Sequence, residues 1–374
     1  MTGQAGVSFV VPVHNGEPWI RKTVRAILAQ ARADRSAQGE CAEPFEVLLV
    51  DDCSTDGSSA ILAKLATHPC VRIVPGPGRG AAAAINAGVR ASRFPIIAQV
   101  DQDVVLQDGW MQRLVADLAD AGIGAAQGYY VHAPGAALFA RAMNLDLEQR
   151  YSAIDGRETD HVCTGNSVYR ADALQRIGLF DESLGYGYDN DVSYRLRAAG
   201  FRLTINRDAR STHQWREGLG PYLVQQYGFG YGRIDLVAKH PHRVTGDAVS
   251  PLAMMLHPIV MLVAIVCAAM GLALSLLGGA AAAWLLAAAI LIAVLAFERL
   301  TVGIVAARRF GDATALVFPV LHLARDLAWV GAIVIWTARR VARRPLRPSH
   351  SMTPRAAYGV SRRASAPAPK RPSA

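Results

Sequence analysis

The chain has 374 residues, of which 52% are hydrophobic and 18% charged, with a net charge of +9. Such a composition excludes intrinsic disorder for most of the chain, and the length removes any need for disulfide or metal staples. The five cysteines, at 41, 53, 70, 163 and 267, are scattered and form no CxxC pair, so a disulfide framework is excluded and a reducing compartment is expected.

Met1–Gly6 is polar, and the first apolar run, Val7–Val13, is short and interrupted by Pro12, so no signal peptide is expected. Residues 1–247 are then expected to remain cytoplasmic. Val7–Val13 reads as a strand, Glu17–Ala33 as a helix and Phe45–Val50 as a second strand. Thr55–Ala66 reads as a helix opened by the cap-like Ser54-Thr55-Asp56. Val71–Val74 follows as a strand, Gly80–Ala91 as a helix and Pro95–Val100 as a fourth strand. This alternation predicts an α/β unit, a mostly parallel sheet with helices on both faces.

Ligands of such sheets sit beyond the carboxyl ends of the strands. Polar residues crowd there: Pro12-Val13-His14-Asn15-Gly16-Glu17 after the first strand, Asp51-Asp52-Cys53-Ser54-Thr55-Asp56 after the second, Asp101-Gln102-Asp103 after the fourth. Neither GxGxxG nor GxxxxGK[ST] occurs, which argues against a dinucleotide oxidoreductase and a P-loop enzyme. Two neighbouring carboxylates repel unless a cation or a proton joins them, and hard oxygen ligands suit Mg²⁺ or Mn²⁺. A solvated turn is the competing reading of Asp101-Gln102-Asp103 taken alone.

Further along come Thr164-Gly165-Asn166-Ser167, Gly178-Leu179-Phe180-Asp181-Glu182 and Gly187-Tyr188-Asp189-Asn190-Asp191. With these motifs in this order, residues 6–235 resemble the family-2 glycosyltransferases of the GT-A fold. The resemblance implies inverting transfer of a sugar from a nucleotide-sugar donor. It implies donor contacts at Pro12, His14, Asn15, Glu17, Arg79, Asn86 and Asp101, with Asp52 recognising the base. His14 departs from the family's usual Tyr, and Arg79 reads equally well as a surface side chain. Asp101 and Asp103 match the metal-binding DxD, with Asp103 the better candidate for direct contact. His213, after a strand expected at Phe201–Ile205, matches a further ligand of some relatives, although a lone His is more often structural. The acceptor motif keeps Asp189 as general base while Tyr188 replaces the usual Glu; a helix cap is the alternative role for Asp189, and Asp191 is able to take that role instead. Asn166 and Asp191 are expected on the acceptor side. The Gln225–Arg233 segment lacks the Arg-Trp of processive synthases, which favours transfer of single sugars over polymerisation. A processive synthase and a membrane scaffold with a degenerate transferase domain remain the competing readings.

No Asp, Glu, Lys or Arg occurs from Ala248 to Phe297, 50 residues in all. A crossing needs about 20 apolar residues, so two are expected, near 252–277 and 280–297, turning at Gly278-Gly279. Arg299, Arg308 and Arg309 follow, as the positive-inside rule expects. Ala313–Thr337 carries His322, Arg325 and Asp326 and is expected to lie in the interface or re-enter, which keeps the arginines after it inside. From Arg339 onward there are nine Arg, one Lys and no acid. Without those ten charges the other 338 residues carry −1, so the body offers no basic groove and no nucleic-acid partner is expected. The expected division is a catalytic unit at 1–247, a membrane region at 248–338 and a disordered basic tail at 339–374 drawn to anionic lipid. Expected partners are a nucleotide-sugar donor, a lipid-linked or envelope glycan acceptor, and membrane lipids, at the cytoplasmic membrane.

Overall fold

The structure is a computed structural model and describes residues 6–30, 44–133, 135–215 and 217–342. Residue 343 onward, most of the expected basic tail, lies outside the described residues, as does Cys41. The first half alternates as expected: β1 (Val7–Val13), α1 (Ile20–Gln30), β2 (Phe45–Asp51), α2 (Ser58–Leu65), β3 (Val71–Pro75), α3 (Ala81–Ala91) and β4 (Ile96–Val100). Strands β3, β2, β1 and β4 lie side by side and parallel, Val10 pairing with Leu48 on one side and Gln99 on the other. Both faces of β1 and β2 are buried, which explains their unbroken apolar runs.

Two helices are shorter than the sequence pattern suggests. The expected helix from Thr55 opens only at Ser58, because the amide of Thr55 donates to Asn15 Oδ1 and that of Gly57 to Glu17 Oε2. The expected helix from Glu17 opens at Ile20, whose amide bonds the carbonyl of Gly16.

After β4 come β5 (Val104–Leu106), α4 (Trp110–Asp117), β6 (Ile123–Val131), α5 (Leu138–Ser152), β7 (Glu158–Thr159), β8 (Asn166–Arg170), α6 (Ala171–Arg176), α7 (Tyr188–Ala198) and β9 (Arg202–His213). Strand β8 inserts antiparallel between β4 and β6, and β9 runs parallel to β6. The sheet is therefore mixed, in the order β3-β2-β1-β4-β8-β6-β9-β5. The expected strand at Phe201–Ile205 continues to His213, because β5 pairs with its far end and sets Val104 opposite His213.

Helix α8 (Leu219–Lys239) leads to α9 (Leu252–Leu276), α10 (Ala282–Phe310) and α11 (Phe318–Val341). Among the described residues, three segments are long and apolar enough to cross a membrane: α9, α10, and the stretch Ala313–Val341 that contains α11. Helix α10 runs past the expected end at Phe297, since Glu298 and Arg299 pair with each other and His257 of α9 lies 3.3 Å from Glu298. Helix α11 is continuous from Phe318 to Val341. Its polar residues face inward: His322 Nε2 lies 2.9 Å from Asp146 of α5, and His257 Nδ1 lies 3.4 Å from Asp326.

Helix α8 packs along α11 and is thin. Gly228 and Gly232, one turn apart, face Tyr186, where an added Cβ at Gly232 would meet the Tyr186 carbonyl oxygen at 2.7 Å. Gly230, on the opposite side, lies against the Trp329 backbone, where a Cβ would sit at 3.0 Å. Trp336 Nε1 donates to Asp235 at 2.7 Å farther along the same seam.

The cysteine expectation needs a correction. Cys70 is disulfide-bonded, whereas Cys53, Cys163 and Cys267 are free. One bridge is no framework, but cysteine usage no longer points to a reducing compartment.

Candidate functional site

The carboxyl ends of β1, β2 and β4 converge, and their loops are stitched together by side chains accepting backbone N–H groups. Pro12 lies within β1 opposite Val50. His14 is exposed, and its Nδ1 bonds the Asp52 carbonyl at 2.9 Å. Asn15 adopts φ +53°, a left-handed conformation that Asn tolerates, and its Oδ1 accepts the Thr55 amide at 2.8 Å. Glu17 Oε2 accepts the Gly57 amide at 2.9 Å. Asp52 is 6% exposed, and its two oxygens accept the amides of Gly78 at 2.6 Å and Gly80 at 2.8 Å. Asp52 thus fastens the glycine-rich turn at the start of α3. Gly76 is required there, because a Cβ would meet the Asp52 Cα at 2.7 Å.

Two expected donor contacts have other work. Asn86 is buried and clasps a distant segment, donating to the Phe180 carbonyl and Glu182 and accepting the Phe180 amide. All its polar capacity is directed away from the strand ends. Arg79 is 64% exposed and pairs with Glu182 at 2.7 Å.

Asp101, Asp103 and His213 come together. His213 Nε2 lies 3.5 Å from Asp103 Oδ1, brought there by the β5–β9 pairing. The His213 ring packs edge-on against Trp215 and near Tyr130. Asp101 Oδ1 accepts from Gln99 Nε2 at 2.9 Å. Gly165, with φ +87°, lets the chain pass against the other Asp101 oxygen. Burial, then repulsion from Asp103 and Asp189, pushes the Asp101 carboxyl up to about 6. Two partly buried acids beside an imidazole form a donor set that a hard or borderline divalent cation would relieve.

The acceptor-side residues divide. Asp189 sits in the first turn of α7, 24% exposed, with Oδ1 accepting the Asn190 amide at 2.9 Å and Oδ2 lying 3.6 Å from His161 Nε2. It is not the helix cap; that position belongs to Gly187, at φ +80°. Asp191 is no acceptor-facing group. It is fully buried, and Arg195, Lys239 and His240 reach it at 2.7, 2.7 and 2.8 Å, tying α7 to the end of α8. Burial pushes its carboxyl up, but those three partners outweigh it and hold it below the usual range. Asn166 is likewise internal, 1% exposed in β8, accepting Trp110 Nε1 at 2.6 Å.

Four contributors were not evident from sequence. Gln102 clamps the first loop to the third, accepting the His14 amide at 3.0 Å and donating to the His14 carbonyl at 3.1 Å. Gln99 braces Asp101, and its polarity inside the apolar run Ile96–Val100 was the available signal. His161 stands beside Asp189. Asp247 accepts from Asn190, Tyr194 and Arg233. Nothing local marks the last two.

Comparison with known proteins agrees with this geometry. Residues 8–178 match Glycosyl transferase family 2. The uncharacterized glycosyltransferase Mb0553 of Mycobacterium bovis is 31% identical over 209 residues, covering 54% of this chain and 84% of that one. The pre-mycofactocin glycosyltransferase of Mycobacterium tuberculosis is 26% identical over 259 residues, 67% of this chain but only 51% of that one, so the chain spans about half its length. Succinoglycan biosynthesis protein ExoA of Rhizobium meliloti is 29% identical over 205 residues, 52% of this chain and 61% of that one. Among solved structures, the mannosyltransferase PcManGT of Pyrobaculum calidifontis, in complex with GDP-Man and Mn²⁺, superposes with a TM-score of 0.57 at 20% identity, covering 90% of this chain and 88% of that one. The GT-A fold, the matched motifs and the relatives agree: the chain is an enzyme of glycosyltransferase family 2.

Proposed function

We propose that the protein transfers a sugar, with inversion, from a nucleotide-diphosphate-sugar to a lipid-linked or envelope glycan acceptor at the cytoplasmic face of the membrane. One observation carries this reading: His213 Nε2 lies 3.5 Å from Asp103 beside Asp101, a carboxyl raised by burial and by the charges of Asp103 and Asp189. Asp101, Asp103 and His213 would hold Mg²⁺ or Mn²⁺, which neutralises the charge that develops on a leaving diphosphate. PcManGT, with its bound GDP-Man and Mn²⁺, is consistent with that choice. On this reading His14 and the Asp52-fastened turn would border the nucleotide. Asp189 Oδ2 takes the proton of the acceptor hydroxyl as that oxygen attacks the anomeric carbon from the face opposite the diphosphate.

The membrane helices support an acceptor held near the bilayer. Helix α8 carries Gln226 and Asp235 against α11, and α11 turns His322, Arg325 and Asp326 inward. A helix with a polar partner along one side suits the interface better than a lipid-facing crossing. On this reading α9 and α10 form the hairpin, and residues before and after the membrane region share the cytoplasmic side. Cysteine labelling from outside intact cells, at sites introduced after Val341, is expected to fail; efficient labelling would make α11 a third crossing.

The chemistry is tested by Asp189→Asn in the full chain in detergent or lipid. Nucleotide-diphosphate release and product formation are measured across UDP-glucose, UDP-GlcNAc and GDP-mannose with Mn²⁺. Turnover is expected to fall by about 10²–10⁴-fold with donor affinity unchanged. Near-normal transfer would remove Asp189 as the base.

A further inference from the structure

His161 is 4% exposed, yet neither ring nitrogen has a hydrogen-bond partner. Every tautomer of imidazole keeps an N–H donor, and an unpaired buried donor costs about 1–3 kcal/mol. A side chain kept in that position needs a reason.

The backbone of His161 is fixed from both sides. Its amide donates to Thr159 Oγ1 at 3.3 Å, and its carbonyl accepts from the same hydroxyl at 3.0 Å. The next amide, of Val162, donates at 3.0 Å to Ser193 Oγ of α7, and that of Cys163 donates to Gln127 Oε1 at 2.7 Å. The ring is thus carried on a strap bonded to the same helix whose first turn bears Asp189, with Nε2 3.6 Å from Asp189 Oδ2. The charged and titratable groups that face it are Asp189 of α7, Asp247 after α8, Arg233 of α8 and Cys163 of its own strap. Burial alone would lower the imidazole, but the two carboxylates outweigh it and raise it.

A metal bridging His161, Cys163 and Asp189 is the other reading, since their ligand atoms lie within 4.8 Å of one another. It is the weaker one. Burial pushes the Cys163 thiol up to about 12, and its sulfur already accepts the Tyr151 hydroxyl at 3.0 Å.

We propose that His161 is a positioning residue for sugar transfer, which turns its Nε2–H toward Asp189 Oδ2 and fixes the carboxylate for the acceptor hydroxyl. The inference rests on the assignment of Asp189 as general base. Oδ1 is held by the Asn190 amide and His161 Nε2 lies 3.6 Å from Oδ2; an N–H donated across that gap would give the carboxylate one orientation and leave a lone pair on Oδ2 for the incoming proton.

The test uses the full chain in detergent, isotopically labelled at histidine, with the same donor panel. In the wild type the His161 ring, identified by its loss in His161→Gln, is expected to titrate above the ordinary histidine midpoint, and in Asp189→Asn the midpoint is expected to fall. His161→Gln is expected to lower turnover on the order of 10- to 10²-fold with donor KM unchanged. His161→Ala is expected to regain part of that turnover with added imidazole. If Asp189→Asn is inactive while His161→Gln turns over at the wild-type rate, the positioning role is overturned and the base survives. If Asp189→Asn retains transfer, the base assignment fails. If both variants misfold, the wild-type titration, with the ring assigned through His161→Ala instead, still decides: a midpoint at or below the ordinary value overturns the proposal.

Discussion

The loops between Val13 and Asp103 and the segment between His161 and Asp247 are held by different physics. Between Val13 and Asp103 the loops are fastened by carboxylates and amides accepting neutral backbone N–H groups, as at Asn15, Glu17 and Asp52. Between His161 and Asp247 the structure rests on buried charge: Asp191 with Arg195, Lys239 and His240, Asp247 with Arg233, Asp189 beside His161. The first arrangement also rests on carboxylates, and Asp101 within it is pushed up to about 6 by burial and its acidic neighbours. The second is stabilising only while every member keeps its charge, because an uncompensated buried ion is costly.

The sharpest break between the two sides is Asp103→Asn. It keeps the shape and removes a coordinating anion, so most of the Mn²⁺ dependence of donor binding should vanish while thermal stability holds. Titration of Mn²⁺ against donor affinity reads it, and wild-type-like dependence would contradict the ligand assignment. Asp191→Asn should do the reverse. Leaving Arg195, Lys239 and His240 around a neutral group should cost about 3–5 kcal/mol of stability, with donor affinity per folded molecule unchanged. Denaturation against a ligand-binding control separates the two effects.

Acid should destabilise the segment between His161 and Asp247. Burial pushes the Asp247 carboxyl up, but His161, Arg233, Tyr194 and the Ser250 amide outweigh it and bring it down to about 2. A depressed carboxyl contributes stability that is present above its unfolded pKa of about 4 and is lost as pH falls toward 2. The melting temperature of the wild type should therefore drop between about pH 4 and pH 2, and Asp247→Asn should start lower and fall less. The smallest effect is expected at Arg79→Ala. Its exposed pair with Glu182 contributes about 0–1 kcal/mol, and a larger loss, specific to donor KM, would restore Arg79 as a donor contact.

The strands and the polar loops that follow them are legible in the sequence because their signals are local. Apolar runs marked β1, β2 and β4, and the acids that follow them lie where the strands end. The errors came where partners are distant. Asn86 looked like a nucleotide contact because it follows a glycine-rich turn, but its partners Phe180 and Glu182 lie more than 90 residues away. Asp191 looked like an acceptor group because it stands two residues from Asp189; on a helix that spacing turns it to another side, toward α8. The end of α10 was misread for the same reason. Glu298 looked like a terminus only because its partner His257 is on another helix. His161 gave no signal, since a single histidine in a polar stretch has no periodicity to betray it.

Three alternate glycines within α8 each sacrifice about 1 kcal/mol of intrinsic helicity relative to alanine. What the fold gains is thickness, or the lack of it. With hydrogen in place of side chains at 228, 230 and 232, the ring of Tyr186 and the backbone at Trp329 are separated by little more than a polypeptide backbone. Side chains normally cushion a helix interface by changing rotamer; a bare backbone has no such compliance. Tyr186 is three residues from Asp189. The wall between α11 and the segment that leads into α7 is accordingly one with almost no slack, in which the spacing between α11 and Tyr186 is a fixed dimension of the fold.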